Sequence, residues 1–238
     1  VRTFLGAHAV PPSYKDRNDE FIDFLIRDVM PTVAKEKLAE FCDVFCEKGV
    51  FSIEESRKLL TAAREQGFKL KIHADEIVTF GGSELAGELK CTSADHLLHA
   101  SEAGIKALAD NGVVATLLPT TAFCLKEPYA AARKMIDSGC AVALATDFNP
   151  GSGFTNSVPL MIALAVIYMG MTAEEAITAL TLNGAAAVDR ADRIGSVEVG
   201  KQADLVILQY PSYKFLPYHT GVNIVETVIK NGEIVHRA

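Results

Sequence analysis

Strands and helices alternate along most of this chain, and that alternation constrains the fold more than any other feature. Short apolar runs lie at Thr3–Val10, Phe41–Cys46, Lys69–Ala74, Ala94–Leu98, Val113–Leu118 and Ala141–Ala145. Segments with apolar residues at helical spacing separate them. The first carries Phe21, Phe24, Leu25 and Val29 behind a cap at Asn18 or Asp19. Ser52–Gln66 opens with the capping-box pair Ser52 and Glu55 and stops at Gly67. Gly82–Leu89, Ser101–Asp110 and Tyr129–Asp137 follow, and further helices are expected within Ser157–Asp189. Pro119 reads as the stop of the fifth strand. Units of about 25–35 residues in this order require a parallel sheet covered by helices.

The six strands end near His8, Cys46, His73, His96, Leu118 and Asp147. A closed (β/α)8 barrel takes eight strands and about 250 residues. Six would leave two open edges of buried parallel sheet, whereas an open doubly wound sheet could use six. The first strand begins at Thr3 with no helix before it, so we expect the front of the fold to be missing. The tail differs in kind. Ile194–Gly200 leads into a strand at Asp204–Leu208, and Val222–Lys230 and Glu233–His236 flank Asn231-Gly232, a strong hairpin signal. So few strands form a stable sheet only with others. We expect a barrel portion over residues 1–190 and a small β segment over 191–238.

Composition narrows the classes further. With 49% hydrophobic residues in 238, one large core is affordable. A net charge of −7 without a basic cluster argues against nucleic acid or an anionic membrane as partner. The longest apolar run, Val158–Met171, is too short to span a bilayer and contains Pro159, so it reads as a buried helix. Val1-Arg2-Thr3-Phe4 has no secretory character. Cys42, Cys46, Cys91, Cys124 and Cys140 are an odd, scattered set that resembles neither a disulfide framework nor a zinc knuckle. A reducing cytoplasm is the expected setting.

Two strand ends carry candidate chemistry. Ala141–Ala145 stops at Thr146-Asp147, followed by the loop Asn149-Pro150-Gly151-Ser152-Gly153. An acid at the C-terminal end of a buried parallel strand stands at the functional rim of an α/β barrel, and small residues beyond it let a ligand approach the backbone. A lone Asp more often caps a turn. The stretch Leu70–Glu76 changes that balance, because there another strand ends in His73, followed by Asp75 and Glu76. His73 and Asp147 offer one nitrogen and one carboxylate, ligands suited to zinc or ferrous iron. A catalytic metal takes three or more protein ligands, so this pair is not a full set. His8 and His96 also fall near strand ends, whereas His99, His219 and His236 read as surface or structural residues.

The stretches LGAHAVPP, KIHADE, SADHLLH, ATDFNPGS and GKQADLVIL resemble the amidohydrolase superfamily, over the whole length from Thr3 to the hairpin. HADE and TDFNPGS are the specific parts. They are most similar to the members that hydrolyse the cyclic amide of 4-imidazolone-5-propanoate to N-formimidoyl-glutamate. The resemblance implies a (β/α)8 barrel, with strands three to eight present here, and a composite β-sandwich built from both chain ends. It also implies one zinc or iron ion, held by an HxH pair on the first strand, a His on the fifth and an Asp on the eighth. The last two match His73 and Asp147, and no HxH occurs in this sequence.

By the same resemblance Asp147 ligates the metal and moves the proton, and His96 stabilises the oxyanion or orients the water. Glu76 accepts a ring N–H bond, His8 reaches the substrate carbonyl or propionate, and Asn149, Gly151 and Ser152 hold the polar end. The partner is a small molecule, and the complete protein is expected to be a homodimer. Two other readings stand beside this one. A nucleobase-type deaminase would share His73, His96 and Asp147 but differ at Glu76 and the FNPGS loop. A non-catalytic module would bind ligand without metal or turnover.

Overall fold

The computed structural model describes all 238 residues. Six strands lie in one parallel α/β sheet in sequence order: β1 (Thr3–Ala7), β2 (Phe41–Cys46), β3 (Lys69–Ala74), β4 (Ser93–His96), β5 (Val114–Leu117) and β6 (Val142–Leu144). The chain packs as two compact units, Val1–Ala115 with Asp137–Ala141, and Thr116–Ile136 with Val142–Ala238. No helix is long and apolar enough to cross a membrane.

In the first unit, β1 to β4 pair in parallel with Phe45 opposite His73 and His73 opposite Asp95. Side chains alternate between the two faces of a strand. Cys42, Val44, Cys46, Leu70, Ile72, Ala74 and Ala94 therefore share one buried apolar face. Asp43, Lys71, His73 and Asp95 occupy the other. The helices of this unit begin with a long one after Pro11-Pro12. It runs as α1 (Asn18–Phe24), a single π turn at Leu25–Val29, and α2 (Met30–Lys35). Pro31 explains the wide turn, since a proline has no N–H to donate and its ring crowds the carbonyl of the preceding turn. Next comes α3 (Ile53–Glu65), which opens with the expected capping box: Glu55 N donates to Ser52 Oγ at 3.2 Å and Ser52 N to Glu55 Oε2 at 2.8 Å. The unit is completed by α4 (Gly82–Glu88) and α5 (Glu102–Asn111), the latter ended by Gly112 at φ 66°. Its core includes Ile22, Met30, Phe41, Phe51, Leu59, Leu60, Ile72 and Leu108.

In the second unit, Pro119 does not merely stop a strand; it begins a helix that the sequence reading lacked, α6 (Pro119–Leu125). A proline fits the first turn because its missing N–H has no partner there in any helix. After it come α7 (Ala132–Asp137), α8 (Val158–Tyr168), α9 (Ala173–Leu180) and α10 (Leu182–Ala187). The apolar run that reads as a buried helix is α8, and it is covered in its middle. Met161–Ala165 are covered, with α6 and α9 against α8, whereas Val158, Ile167 and Tyr168 are exposed. The tail forms a separate antiparallel sheet, β7 (Leu205–Leu208), β8 (Val225–Lys230) and β9 (Glu233–Arg237), with the short α11 (Phe215–Tyr218) between its first two strands. The expected hairpin is present: Lys230 pairs with Glu233 across Asn231 (φ 51°) and Gly232 (φ 81°). Val206, Ile207, Ile234 and Val235 of this sheet are exposed. Cys42, Cys46, Cys91 and Cys140 are buried free thiols, and Cys124 is exposed.

Candidate active site

The first unit gathers three of the candidate histidines around the end of β3. His73 Nδ1 lies 3.0 Å from Asp43 Oδ1, reached from the adjoining strand β2. The rings of His8 and His96 lie with centroids 5.6 and 5.2 Å from that of His73, and Phe45 stacks on His8 at 5.4 Å. Strict alternation would turn His96 away from the face that carries Asp95. The strand ends there instead, with His96 in the left-handed region at φ 77°, which redirects its ring. Glu76 Oε1 stands 3.4 Å from His96 Nδ1.

Two neighbours of Glu76 are fixed by buried carboxylates. Asp75 accepts from the N–H groups of Phe80, Gly81, Gly82 and Ser83 at 2.8–3.3 Å, and from the Ser83 hydroxyl at 2.5 Å. It thereby ties the turn after β3 to the start of α4. Glu47, at the end of β2, accepts from Ile77 N at 2.8 Å and from Lys48 N at 2.8 Å. In the HADE stretch, then, Asp75 builds the turn on which Glu76 is presented.

Charges in this cluster oppose one another. Burial lowers the His73 pKa, but the Asp43 carboxylate beside it, with Asp95 and Glu76, outweighs burial and raises it to about 9. Burial, and then the cationic form of His73, push His96 down to about 3. Burial works to raise Asp95, yet Lys71, His73 and a hydrogen bond from Ser93 hold it below the ordinary carboxylate range. Lys71 Nζ donates to Ser93 Oγ at 2.6 Å, and Ser93 Oγ to Asp95 Oδ1 at 2.9 Å.

The donor set suits a divalent ion. Asp43, His73 and Asp95 each offer an atom within 4.8 Å of the others. A carboxylate on one ring nitrogen of a histidine orients the ring and directs the other nitrogen to a metal. Asp43 on Nδ1 leaves Nε2 of His73 for that purpose. Sequence reasoning missed Asp43 and Asp95. The first had a usable signal, a charged residue in the middle of the buried run FCDVFC.

The second unit carries Asp147, beyond the end of β6 and in the left-handed region at φ 50°. Its carboxylate accepts from Thr121 Oγ1 at 2.7 Å, a partner that the sequence reading did not single out. Asn149, Gly151 and Ser152 wire the loop to itself. Asn149 Oδ1 accepts from Gly151 N at 2.8 Å and Ser152 N at 2.9 Å, while Asn149 Nδ2 donates to Asp147 O at 2.8 Å and Ser152 Oγ at 2.9 Å. Phe148 and Phe154, both exposed, face each other at 4.8 Å. The remaining histidines lie elsewhere. His99 N donates to Asp75 O, His219 packs on Tyr210 and Phe215, and His236 is exposed in β9.

Imidazolonepropionase of Clostridium tetani is 72% identical over 99% of this chain and 56% of that protein. Those of Parabacteroides distasonis and Bacteroides thetaiotaomicron are each 68% identical over 98% of this chain and 56% of their own lengths. The chain thus spans about half the length of the curated relatives it matches. Among solved structures, an adenosine deaminase from Xanthomonas campestris with bound zinc has a TM-score of 0.73 at 21% identity, covering 97% of this chain and 59% of that one. An atrazine chlorohydrolase from Arthrobacter aurescens, complexed with zinc, has a TM-score of 0.70 at 15% identity, covering 100% and 68%. At those identities the likeness speaks to the fold, the (β/α) barrel plan of these hydrolases. The amidohydrolase family model matches residues 46–235, and with six parallel strands whose ends carry His73, Glu76, His96 and Asp147, the chain belongs to the amidohydrolase family.

Proposed function

We propose that the protein to which this chain belongs is an imidazolonepropionase, which hydrolyses the cyclic amide C–N bond of 4-imidazolone-5-propanoate to N-formimidoyl-glutamate. The observation that carries the substrate is the 72% identity to the C. tetani enzyme over 99% of this chain. The 21% likeness to an adenosine deaminase does not favour a deaminase.

In this reading His73, through Nε2, and Asp147 would be among the ligands of a divalent ion, zinc or iron, with Asp43 fixing the His73 ring. When bound, such an ion supplies Lewis acidity that brings the pKa of water to near neutral. Asp147 takes the proton of the attacking water on its carboxylate and passes it to the ring nitrogen as the C–N bond breaks. His96, whose burial disfavours the cationic form, donates a ring N–H toward the developing oxyanion. Glu76, held by the pinned turn, accepts a substrate ring N–H, and His8 meets the carbonyl or the propionate. Asn149, Gly151 and Ser152 frame the substrate's polar end. We assign the site to the barrel portion over residues 1–190, apart from the β segment over 191–238, and place the whole protein in the cytoplasm as a homodimer.

The test uses the full-length protein, with 4-imidazolone-5-propanoate, adenosine and guanine as substrates and mass spectrometry of the products. Formation of N-formimidoyl-glutamate from the first alone is the expected result. Deamination of either purine with no turnover of the imidazolone would refute the assignment. Elemental analysis of the same preparation separates zinc from iron, its mass in solution tests the homodimer, and cell fractionation tests the compartment.

A further inference from the structure

Asp147 stands in a backbone conformation that only a small minority of non-glycine residues adopt, and its surroundings hold it there. Pro119 fixes the start of α6 and so places Thr120 and Thr121 in the helix's first turn. Both side chains are buried, and both hydroxyls point to the strand-end loop. Thr120 Oγ1 donates to Thr146 O at 2.6 Å, and Thr121 Oγ1 donates to Asp147 Oδ2 at 2.7 Å. Asn149 Nδ2 takes the Asp147 carbonyl. Gly153 lies close beside the clamp: a Cβ there would crowd Thr121 Oγ1 at 3.2 Å.

We propose that Thr121 is a positioning residue for Asp147, its hydroxyl fixing one carboxylate oxygen and thereby the direction in which the other faces ligand. This rests on the reading of Asp147 as a functional carboxylate. A carboxylate on a surface loop rotates freely about its last bond, whereas this one is locked by a bond to a charged acceptor. The donor itself is stiff, because a β-branched threonine has few rotamers. The preceding residue does the same for the backbone. Thr120 and Thr121 act together on Thr146 and Asp147, one holding the peptide and the other the side chain.

The experiment compares Thr121→Val, which keeps the shape and deletes the donor, with Thr121→Ser, which keeps the donor. Both are made in the full-length protein. Zinc affinity is read by chelator competition, kcat and KM with 4-imidazolone-5-propanoate, and folding by thermal melting. Loss of a group that orients a ligand typically weakens metal binding or activity by about 10–100-fold. Thr121→Val should show such a loss in zinc affinity and in kcat, with KM within about 2-fold, and Thr121→Ser should recover most of both. The proposal is overturned if Thr121→Val matches the wild type, or if Thr121→Ser is as impaired as Thr121→Val, which would assign the effect to packing. If the valine variant does not fold, Thr121→Ala is read against Thr121→Ser by the same criteria. Failure of the wild type to act on the imidazolone would refute the substrate, and the zinc arm alone would then decide the role of Thr121.

Discussion

Asp43 Oδ1 meets His73 Nδ1 at 3.0 Å, from one strand to the next, and this contact is the main reason that His73 keeps its proton in spite of burial. It holds the imidazole as a cation in the metal-free protein, with a pKa of about 9. The raised value gives the sign of the pH effect. The folded state binds the His73 proton more tightly than the unfolded chain, whose histidine titrates near 6.5. The stabilisation is therefore fully present below about pH 6.5 and lost as pH rises through about 9. Asp43→Asn should cost up to about 3 kcal/mol at pH 6 and much less at pH 10. Urea denaturation of the metal-free protein at both pH values checks it; an equal loss at both would refute the charge effect.

A second expectation concerns the metal itself. His73→Ala and Asp147→Ala in the full-length protein should each lower bound divalent metal from one equivalent to well below it. Loading wild-type apoprotein at pH 7 should also release a proton, because a ligating histidine must be neutral. Elemental analysis and an indicator dye measure the two. Full metal retention in both variants would remove these residues from the ligand set.

Glu76 offers a cleaner separation of binding from metal chemistry. Glu76→Ala should lower kcat/KM by at least ~10-fold, since a hydrogen bond to a charged group contributes roughly 1.5–3 kcal/mol. Metal content should not change. A variant that loses its metal would make Glu76 a ligand instead.

Asp75 should behave as a structural residue despite its place beside the chemistry. Asp75→Ala strands four backbone donors and the Ser83 hydroxyl, and should cost about 3 kcal/mol or more of stability. Hydrogen exchange should accelerate at the amides of Phe80, Gly81, Gly82 and Ser83. Unchanged protection there would contradict the role assigned to it.

How much of this could be read from the residues alone differs from one to another. The strand-end positions of His73 and Asp147 were legible because each follows a short apolar run and precedes small or acidic residues, a pattern that local spacing carries. The Asn231-Gly232 hairpin was visible for the same reason, as both turn positions need positive φ. Asp43 and Asp95 were hidden by period-two alternation, which gives their face but not what stands across from it. Thr121 was out of reach, since its bond to Asp147 spans 26 residues and exists only once α6 is placed. Pro119 misled because a proline after a strand can end one element and begin the next. His96 depended on a backbone reversal that no side-chain pattern announces.

The self-wired loop from Asp147 to Gly153 has a thermodynamic consequence. Fixing a flexible backbone costs about 1–2 kcal/mol per residue at room temperature. Here Asn149 has already closed the loop through Gly151, Ser152 and the Asp147 carbonyl, and Asn149 N adds a bond to Gly153 O at 3.1 Å. A ligand that binds at this strand end would meet a surface already ordered when the protein folded, and its affinity would not be diminished by ordering the loop.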